Sequence, residues 1–141
     1  MKKRLLVVGG VAAGPKAASK AKRCDPEMEV VIYQEEEEFS YAGCGLPYYV
    51  SGVIGKRKDL VSRTPEQFAQ DGIQVHPQRR IEEIDPAKRV VSGRDLVSGE
   101  ALTDHFDRLV LATGARAIRP EIEGIDLPNV FYLRDQPREG S

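Results

Sequence analysis

The chain has 141 residues, 40% hydrophobic and 30% charged; this is enough to enclose one compact core of the usual ~100–150-residue size and too little for a second full domain. Its 21 basic and 22 acidic side chains leave a net charge of -1, without the overall basic excess of a nucleic-acid binder. Two cysteines cannot build the bridge framework of a small secreted domain and suit a reducing cytoplasm, and no stretch approaches the ~18 apolar residues of a membrane span.

The near-neutral total conceals a segregation along the chain. In residues 1–24 the charges are Lys2, Lys3, Arg4, Lys16, Lys20, Lys22 and Arg23, with no acid; in residues 25–40 they are Asp25, Glu27, Glu29 and Glu35 to Glu38, with no base. Lys2 to Arg4 followed by Leu5 to Ala13 has the outline of a secretory signal. Glycines interrupt its apolar run, however, and the segment continues into a basic helix. Residues 4–8, Arg-Leu-Leu-Val-Val, suit a strand buried on both faces. A helix is expected from Ala13 to about Arg23, with Pro15 in its first turn and Asp25-Pro26 ending it.

Between that strand and helix lies Gly9-Gly10-Val11-Ala12-Ala13-Gly14. In this context a glycine run allows a tight turn, brings a diphosphate close to peptide N–H groups and opens a helix whose first turn is electropositive. Val11 stands where the middle glycine of the dinucleotide fingerprint belongs, so a tight turn with no ligand is the plainer alternative. On the helix, Lys16, Lys20 and Arg23 share one face, and Ala17, Ala18 and Ala21 form a small-residue face suited to a sheet. The basic stripe reads either as a solvated face or as a contact for a second phosphate-bearing ligand.

Glu29–Tyr33 is a β-branched second strand that completes a βαβ unit. The acidic partner of the fingerprint is expected about 20 residues after Gly14; Gln34 holds that place and can still hydrogen-bond a ribose hydroxyl, with Glu35 next to it able to take over as the carboxylate by a small shift, while at least two of the four glutamates read as a solvated loop. Cys44, between Gly43 and Gly45, precedes a short helix at Leu46–Val50. A helix start favours a thiolate and small neighbours leave room for a reacting partner, although a buried cysteine is equally compatible with the residues. Tyr49 stands where a C-x4-C arrangement would place a resolving cysteine, so the chemistry open to Cys44 is a mixed disulfide or a sulfenic acid. Cys24 reads as structural; His76 and His105 receive no role, and no metal site is expected.

Thr64 is expected to cap a helix running from Pro65 to about Gln70. Ile73–His76 is a further strand, and strand-like pieces at 80–84, 88–92, 94–98 and 101–107, with turns at Ser92-Gly93 and Ser98-Gly99, suggest a small antiparallel meander. The last strong strand is Arg108–Thr113, stopped by Gly114. Residues 116–141 read as an extended connection with a short strand at Val130–Leu133.

Four runs carry a resemblance: Gly9-Gly-Val-Ala-Ala-Gly14 with Ala17-Ala18; Ser40-Tyr-Ala-Gly-Cys44-Gly-Leu-Pro-Tyr-Tyr-Val50; Thr64-Pro-Glu-Gln-Phe68; and Leu109-Val-Leu-Ala-Thr-Gly114. Together they resemble the N-terminal part of the coenzyme A-disulfide reductases. These belong to the single-cysteine branch of the FAD-dependent pyridine nucleotide-disulfide oxidoreductases, with NADH oxidases, NADH peroxidases and polysulfide reductases as relatives. The wording around Cys44 favours the coenzyme A-disulfide and polysulfide branch over the oxidases.

The resemblance implies an α/β fold, a Rossmann-like FAD-binding domain over residues 1–115 with a parallel sheet and a small antiparallel meander. Residues 116–141 would lead toward an NAD(P)H-binding domain. Gly9, Gly10, Ala13, Gly14, Gln34 and Glu35 would meet the ADP half of FAD, Ile81 the adenine through its backbone, and Thr113 and Gly114 would close over the cofactor. Cys44 would lie beside the flavin ring and exchange with the disulfide of coenzyme A or with a sulfane sulfur. Lys16, Lys20, Arg23 and Ser40 would hold the phosphates and pantetheine arm of coenzyme A. Gln34 departs from the usual Glu, and Gly43 from the Asn of some members. Family members continue into an NAD(P)H fingerprint, a Gly-Asp segment that completes the flavin site and a dimerisation domain, none of which these residues contain, so turnover by this chain alone is not expected. The implied partner is a small thiol or disulfide, with neither nucleic acid nor membrane, in a cytoplasmic, homodimeric enzyme. A free-standing nucleotide or coenzyme A-binding module without turnover is the other reading, and an oxidase or peroxidase using a cysteine sulfenic acid a third.

Overall fold

The structure, a computed structural model, describes residues 2–133. The described residues divide into two units, one formed by 2–42 together with Val61–Thr113, the other by Gly43–Leu60 and 114–133. The first unit holds two sheets. β1 (Arg4–Val8), β2 (Glu29–Tyr33), β3 (Ile73–His76) and β7 (Arg108–Leu111) form a parallel sheet in the order β3-β2-β1-β7. β4 (Arg79–Asp85), β5 (Val90–Asp95) and β6 (Ala101–His105) form an antiparallel meander.

Both faces of the parallel sheet are covered, which is why its strands read as unbroken apolar runs. Successive side chains alternate: Leu5 and Val7 pack with Val30, Ile32, Ile73, Phe39, Phe68 and Ala18, on the face carrying α1 (Ala13–Cys24) and α3 (Pro65–Gln70). Leu6 and Val8 pack with Val91, Phe106, Ile81 and Leu109, against the meander. The alanine face of α1 lies inward as its spacing requires, with Ala18 buried and Ala17 and Ala21 half-buried. Thr64 closes a capping box on α3: its Oγ1 accepts from the Gln67 N–H (3.4 Å) and its own N–H donates to Gln67 Oε1 (2.9 Å).

The meander corrects part of the sequence reading. The turn expected at Ser92-Gly93 is absent, and β5 runs straight through it. Gly93 pairs with Ile81 where the register slips to Glu83–Ser92, and a Cβ on Gly93 would overlap the Arg80 carbonyl. The glycine thus serves a β-bulge and not a turn. The turns come at Asp85, whose Oδ1 accepts from the Lys88 N–H (2.9 Å), and at Asp95, whose Oδ1 accepts from Val97 and Ser98 ahead of Gly99. β6 and β7 end two residues before their expected limits, and Val130–Leu133 is not a strand. The remainder of the expected connection, 134–141, lies outside the described residues. No helix among the described residues is long and apolar enough to cross a membrane.

One polar cluster ties the sheets together. The Arg4 guanidinium pairs with Glu29 and with Asp104 (2.6 Å), the Arg4 N–H donates to Asp107 Oδ2 (2.7 Å), and the Tyr33 hydroxyl donates to Asp104 Oδ2 (2.8 Å). Burial pushes the Tyr33 hydroxyl up, as does the bond to Asp104, so it remains a donor. Burial alone would raise the Asp104 carboxyl, yet the hydrogen bonds from Arg4, Tyr33 and the His105 N–H hold it below its ordinary value. A depressed carboxylate stabilises the fold above its unfolded pKa of about 4, and that stabilisation is lost as pH falls through the folded value. Urea unfolding from pH 7 to pH 3 should therefore show stability falling below about pH 4. Asp104→Asn should cost about 2–3 kcal/mol at neutral pH and flatten that acid limb.

Candidate functional site

The site begins where β1 ends. Gly9 adopts a φ of +109°, which a side chain disfavours, and its N–H donates to the Tyr33 carbonyl (2.8 Å). A Cβ there would overlap the Ala112 carbonyl and lie 3.2 Å from the Thr113 nitrogen, so the turn presses directly on the chain leaving β7. A Cβ on Gly14 would overlap the Gly9 carbonyl, which makes this glycine the close contact between α1 and the turn. The Gly10 N–H donates to Gln34 Oε1 (2.8 Å), and the Gly10 carbonyl accepts from the Ser40 N–H (2.7 Å).

α1 opens without a side-chain cap. Ala12 at the N-cap has no side-chain acceptor, and no acidic residue lies in the first turn. The leading N–H groups of such a helix have no intrahelical partners and carry a partial positive charge. This start follows the carboxyl end of β1, and β1 is where the strand order reverses, with β2 and β3 built to one side and β7 to the other. In open parallel sheets that is the ligand-binding crevice.

The expected site residues divide into groups. Gly9, Gly10, Gln34 and Thr113 meet around the turn, and Ala13 is the exposed first residue of α1. Ser40, at φ +51°, is buried and engaged by its backbone with Gly10 and Ser62. Glu35 is exposed and accepts two bonds from Arg80 at its Oε1 (2.6 and 3.0 Å). Ile81, next to Arg80, packs its side chain into the core facing the meander. Lys16, Lys20 and Arg23 are exposed on α1 with no ion-pair partner among the described residues. Arg23 also lines a cavity of about 320 Å3 with Ser19, Lys22, Pro26, Asp71 and Ile73.

In the second unit, Cys44 sits in a single 3-10 turn, Gly43–Gly45, that runs into α2 (Leu46–Val50). It is exposed among the described residues. Cys24, expected to be structural, is exposed too, at the last position of α1. Gly114 is exposed and turns with φ +72°. Among the described residues no group of three His, Cys, Asp or Glu is placed to hold a metal.

Several contributors were not visible to sequence reasoning. Arg80 reaches Glu35 across 45 positions, and no local pattern signals such a pair. Phe39 fills the space over Gly10 and meets Phe68 edge-on at 5.1 Å. Arg63 lies 4.0 Å over the Phe68 ring and pairs with Asp71. His76 stacks on Tyr33 at 5.3 Å; burial, then the nearby Arg79 charge, holds its imidazole below its usual pKa.

Residues 3–139 match the family model for pyridine nucleotide-disulphide oxidoreductases. Among curated proteins, the chain is 41% identical over 131 residues to an NAD(P)H sulfur oxidoreductase (CoA-dependent) of Pyrococcus furiosus, covering 92% of this chain and 28% of that protein. It is 33% identical over 132 residues to an NADH oxidase of Enterococcus faecalis, covering 94% and 30%. Among solved structures, an NAD-dependent persulfide reductase from A. fulgidus superposes with a TM-score of 0.85 at 35% identity, over 92% of this chain and 24% of that one. The chain thus spans under a third of the length of the curated relatives it matches.

The turn geometry carries its own test. Gly9→Ala places a Cβ both at an unfavourable φ and against the Ala112 carbonyl, and is expected to destabilise the fold by about 3 kcal/mol or more. Chemical denaturation monitored by circular dichroism measures this; a loss under about 1 kcal/mol would show that the turn relaxes.

Proposed function

The chain belongs to the pyridine nucleotide-disulphide oxidoreductase family, and from that premise we propose that it supplies the FAD-binding part of an NAD(P)H-dependent flavoenzyme that reduces coenzyme A disulfide, or a related persulfide or polysulfide, through Cys44. The observation that carries the substrate class is the unpaired cationic face of Lys16, Lys20 and Arg23 on α1. Phosphates of coenzyme A give those charges a partner, whereas dioxygen or peroxide gives them none. The identity to the P. furiosus sulfur oxidoreductase, higher than that to the E. faecalis NADH oxidase, supports the same choice.

The residues fit a dinucleotide. The first turn of α1 is uncapped and free of acid, which suits a diphosphate, and Thr113 lies against the glycine turn. FAD supplies a carrier for the electron pair of NAD(P)H; the chain supplies binding, orientation and the thiol. In this reading the N–H groups around Ala13 and Gly14 hold the diphosphate, with Gly9 and Gly10 shaping their approach. Ile81 offers its backbone to the adenine, and Thr113 and Gly114 flank the cofactor. Lys16, Lys20 and Arg23, with Ser40, hold coenzyme A. The Cys44 thiolate attacks one sulfur of the disulfide, the S–S bond breaks, and one coenzyme A leaves as its thiolate while the other stays on Cys44 as a mixed disulfide. Two electrons from NAD(P)H and a proton then release the second coenzyme A and restore the Cys44 thiolate.

In the intact enzyme, Cys44→Ser should abolish coenzyme A disulfide reduction while leaving flavin absorbance unchanged; retained turnover would refute the assignment. Lys20→Ala with Arg23→Ala should raise KM for coenzyme A disulfide by about tenfold at unchanged FAD content. Equal losses of both would mark a folding defect instead. An NADH oxidase or peroxidase would consume NADH with oxygen or peroxide at full rate in the Lys20/Arg23 variant, because neither substrate carries a phosphate.

A further inference from the structure

Gln34 stands at the end of β2, where dinucleotide folds place the carboxylate that reads the ribose hydroxyls, yet both ends of its amide are engaged inside the protein. It is 5% exposed. Its Oε1 accepts from the Gly10 N–H (2.8 Å) and its Nε2 donates to the Glu38 carbonyl (3.2 Å). Its backbone is held as well, the N–H by His76 (3.0 Å) and the carbonyl by Arg79 (2.9 Å). The amide orientation is forced: reversing it would set donor against donor at Gly10 and acceptor against acceptor at Glu38. A carboxylate could satisfy Gly10 but would oppose the Glu38 carbonyl in a buried place, where an unmatched acceptor is costly. Only a group with an acceptor at one end and a donor at the other fits.

Glu35, one residue on, has the complementary character. It is exposed, its Oε1 is fixed by two bonds from Arg80, and its Oε2 has no partner among the described residues. We propose that Gln34 is a positioning residue that clasps the glycine turn through Gly10 and Glu38, and that the free oxygen of Glu35, oriented by Arg80, is what reads the ribose hydroxyls of the bound nucleotide. This rests on the dinucleotide-site reading above. It moves ribose recognition by one residue and turns the departure from the usual Glu into a second use of the same position.

The two roles of Gln34 predict opposite signs for Gln34→Glu. A ribose ligand would bind nucleotide more tightly as a carboxylate. A clasp would be broken, lowering the melting temperature by about 3–6 °C at pH 7, and would be restored when the acid is protonated, because its O–H then donates to the Glu38 carbonyl as the amide does. The melting gap between Gln34→Glu and the unaltered chain should therefore close as pH falls from 7 to 4. A gap that is absent at pH 7, or independent of pH, overturns the clasp.

The ribose assignment is read by titrating the chain with ADP and with its 2′-deoxy and 3′-deoxy analogues by calorimetry. The unaltered chain should prefer ADP to at least one analogue by about tenfold. Gln34→Ala should weaken ADP and analogue alike and keep the ratio, and Glu35→Ala should bring it to one. A ratio lost in Gln34→Ala and kept in Glu35→Ala overturns the proposal. Failure of the unaltered chain to bind any of these ligands overturns the dinucleotide reading and the Glu35 assignment together, leaving the clasp to be decided by the melting profile.

Discussion

Everything at the carboxyl edge of the parallel sheet depends on one backbone crossing, that of Gly9 against the Ala112 carbonyl. There is no room for a side chain between these segments, so β1 and β7 can lie side by side while the chain of β1 turns at once into α1. The same crossing fixes the helix start. Gly14 lies on the Gly9 carbonyl, so α1 begins close over the strand end and its unpaired N–H groups come at the point where the strand order reverses. A larger residue at either place would move the helix away from the sheet, and with it the electropositive turn that suits a diphosphate.

The two covered faces of that sheet hold the crossing in place. On one side Ala18 lets α1 come close to Val7, Val30 and Ile32; on the other Val91 and Phe106 of the meander region close over Leu6. Apolar packing is not directional, and it leaves open which way the meander sits. The Arg4 cluster supplies direction, because its bonds join β1 to Glu29 of β2 and Asp104 of β6, and bring in Tyr33 as a donor to the same Asp104 oxygen. A carboxylate satisfied by a guanidinium, a hydroxyl and a backbone N–H has one workable position.

What the sequence disclosed follows from how local each signal is. The βαβ unit, the inward alanine face of α1 and the Thr64 cap are written in spacings of two to four residues, and all stand as the pattern indicates. Ser92-Gly93 carried a local turn signal, but the need for that glycine comes from the Arg80 carbonyl on another strand. The fingerprint spacing brings Gln34 to the glycine turn but does not disclose its bond to the Gly10 N–H, and the Glu35–Arg80 pair joins residues 45 positions apart, which no local spacing signals. Cys44 was legible as a cysteine between glycines, whereas its exposure belongs to the fold alone.

The segregated charges of the first 40 residues gain a physical sense from where the acids go. Glu29 is taken by Arg4 and Glu35 by Arg80, while Asp25 Oδ1 accepts from the Glu27 N–H at 3.2 Å. None of these acids serves α1, where Lys16 and Lys20 stand one turn apart with like charge, an arrangement that disfavours a helix by a few tenths of a kcal/mol. Ordinary surface helices relieve such repulsion with an acid three or four residues away, and α1 contains none. The helix therefore keeps a repulsion that nothing in its own sequence offsets, and an anion bound along that face would convert it into attraction. Its uncapped start and its basic stripe are two parts of one electropositive element, and no acid of α1 itself supplies either with a counter-charge.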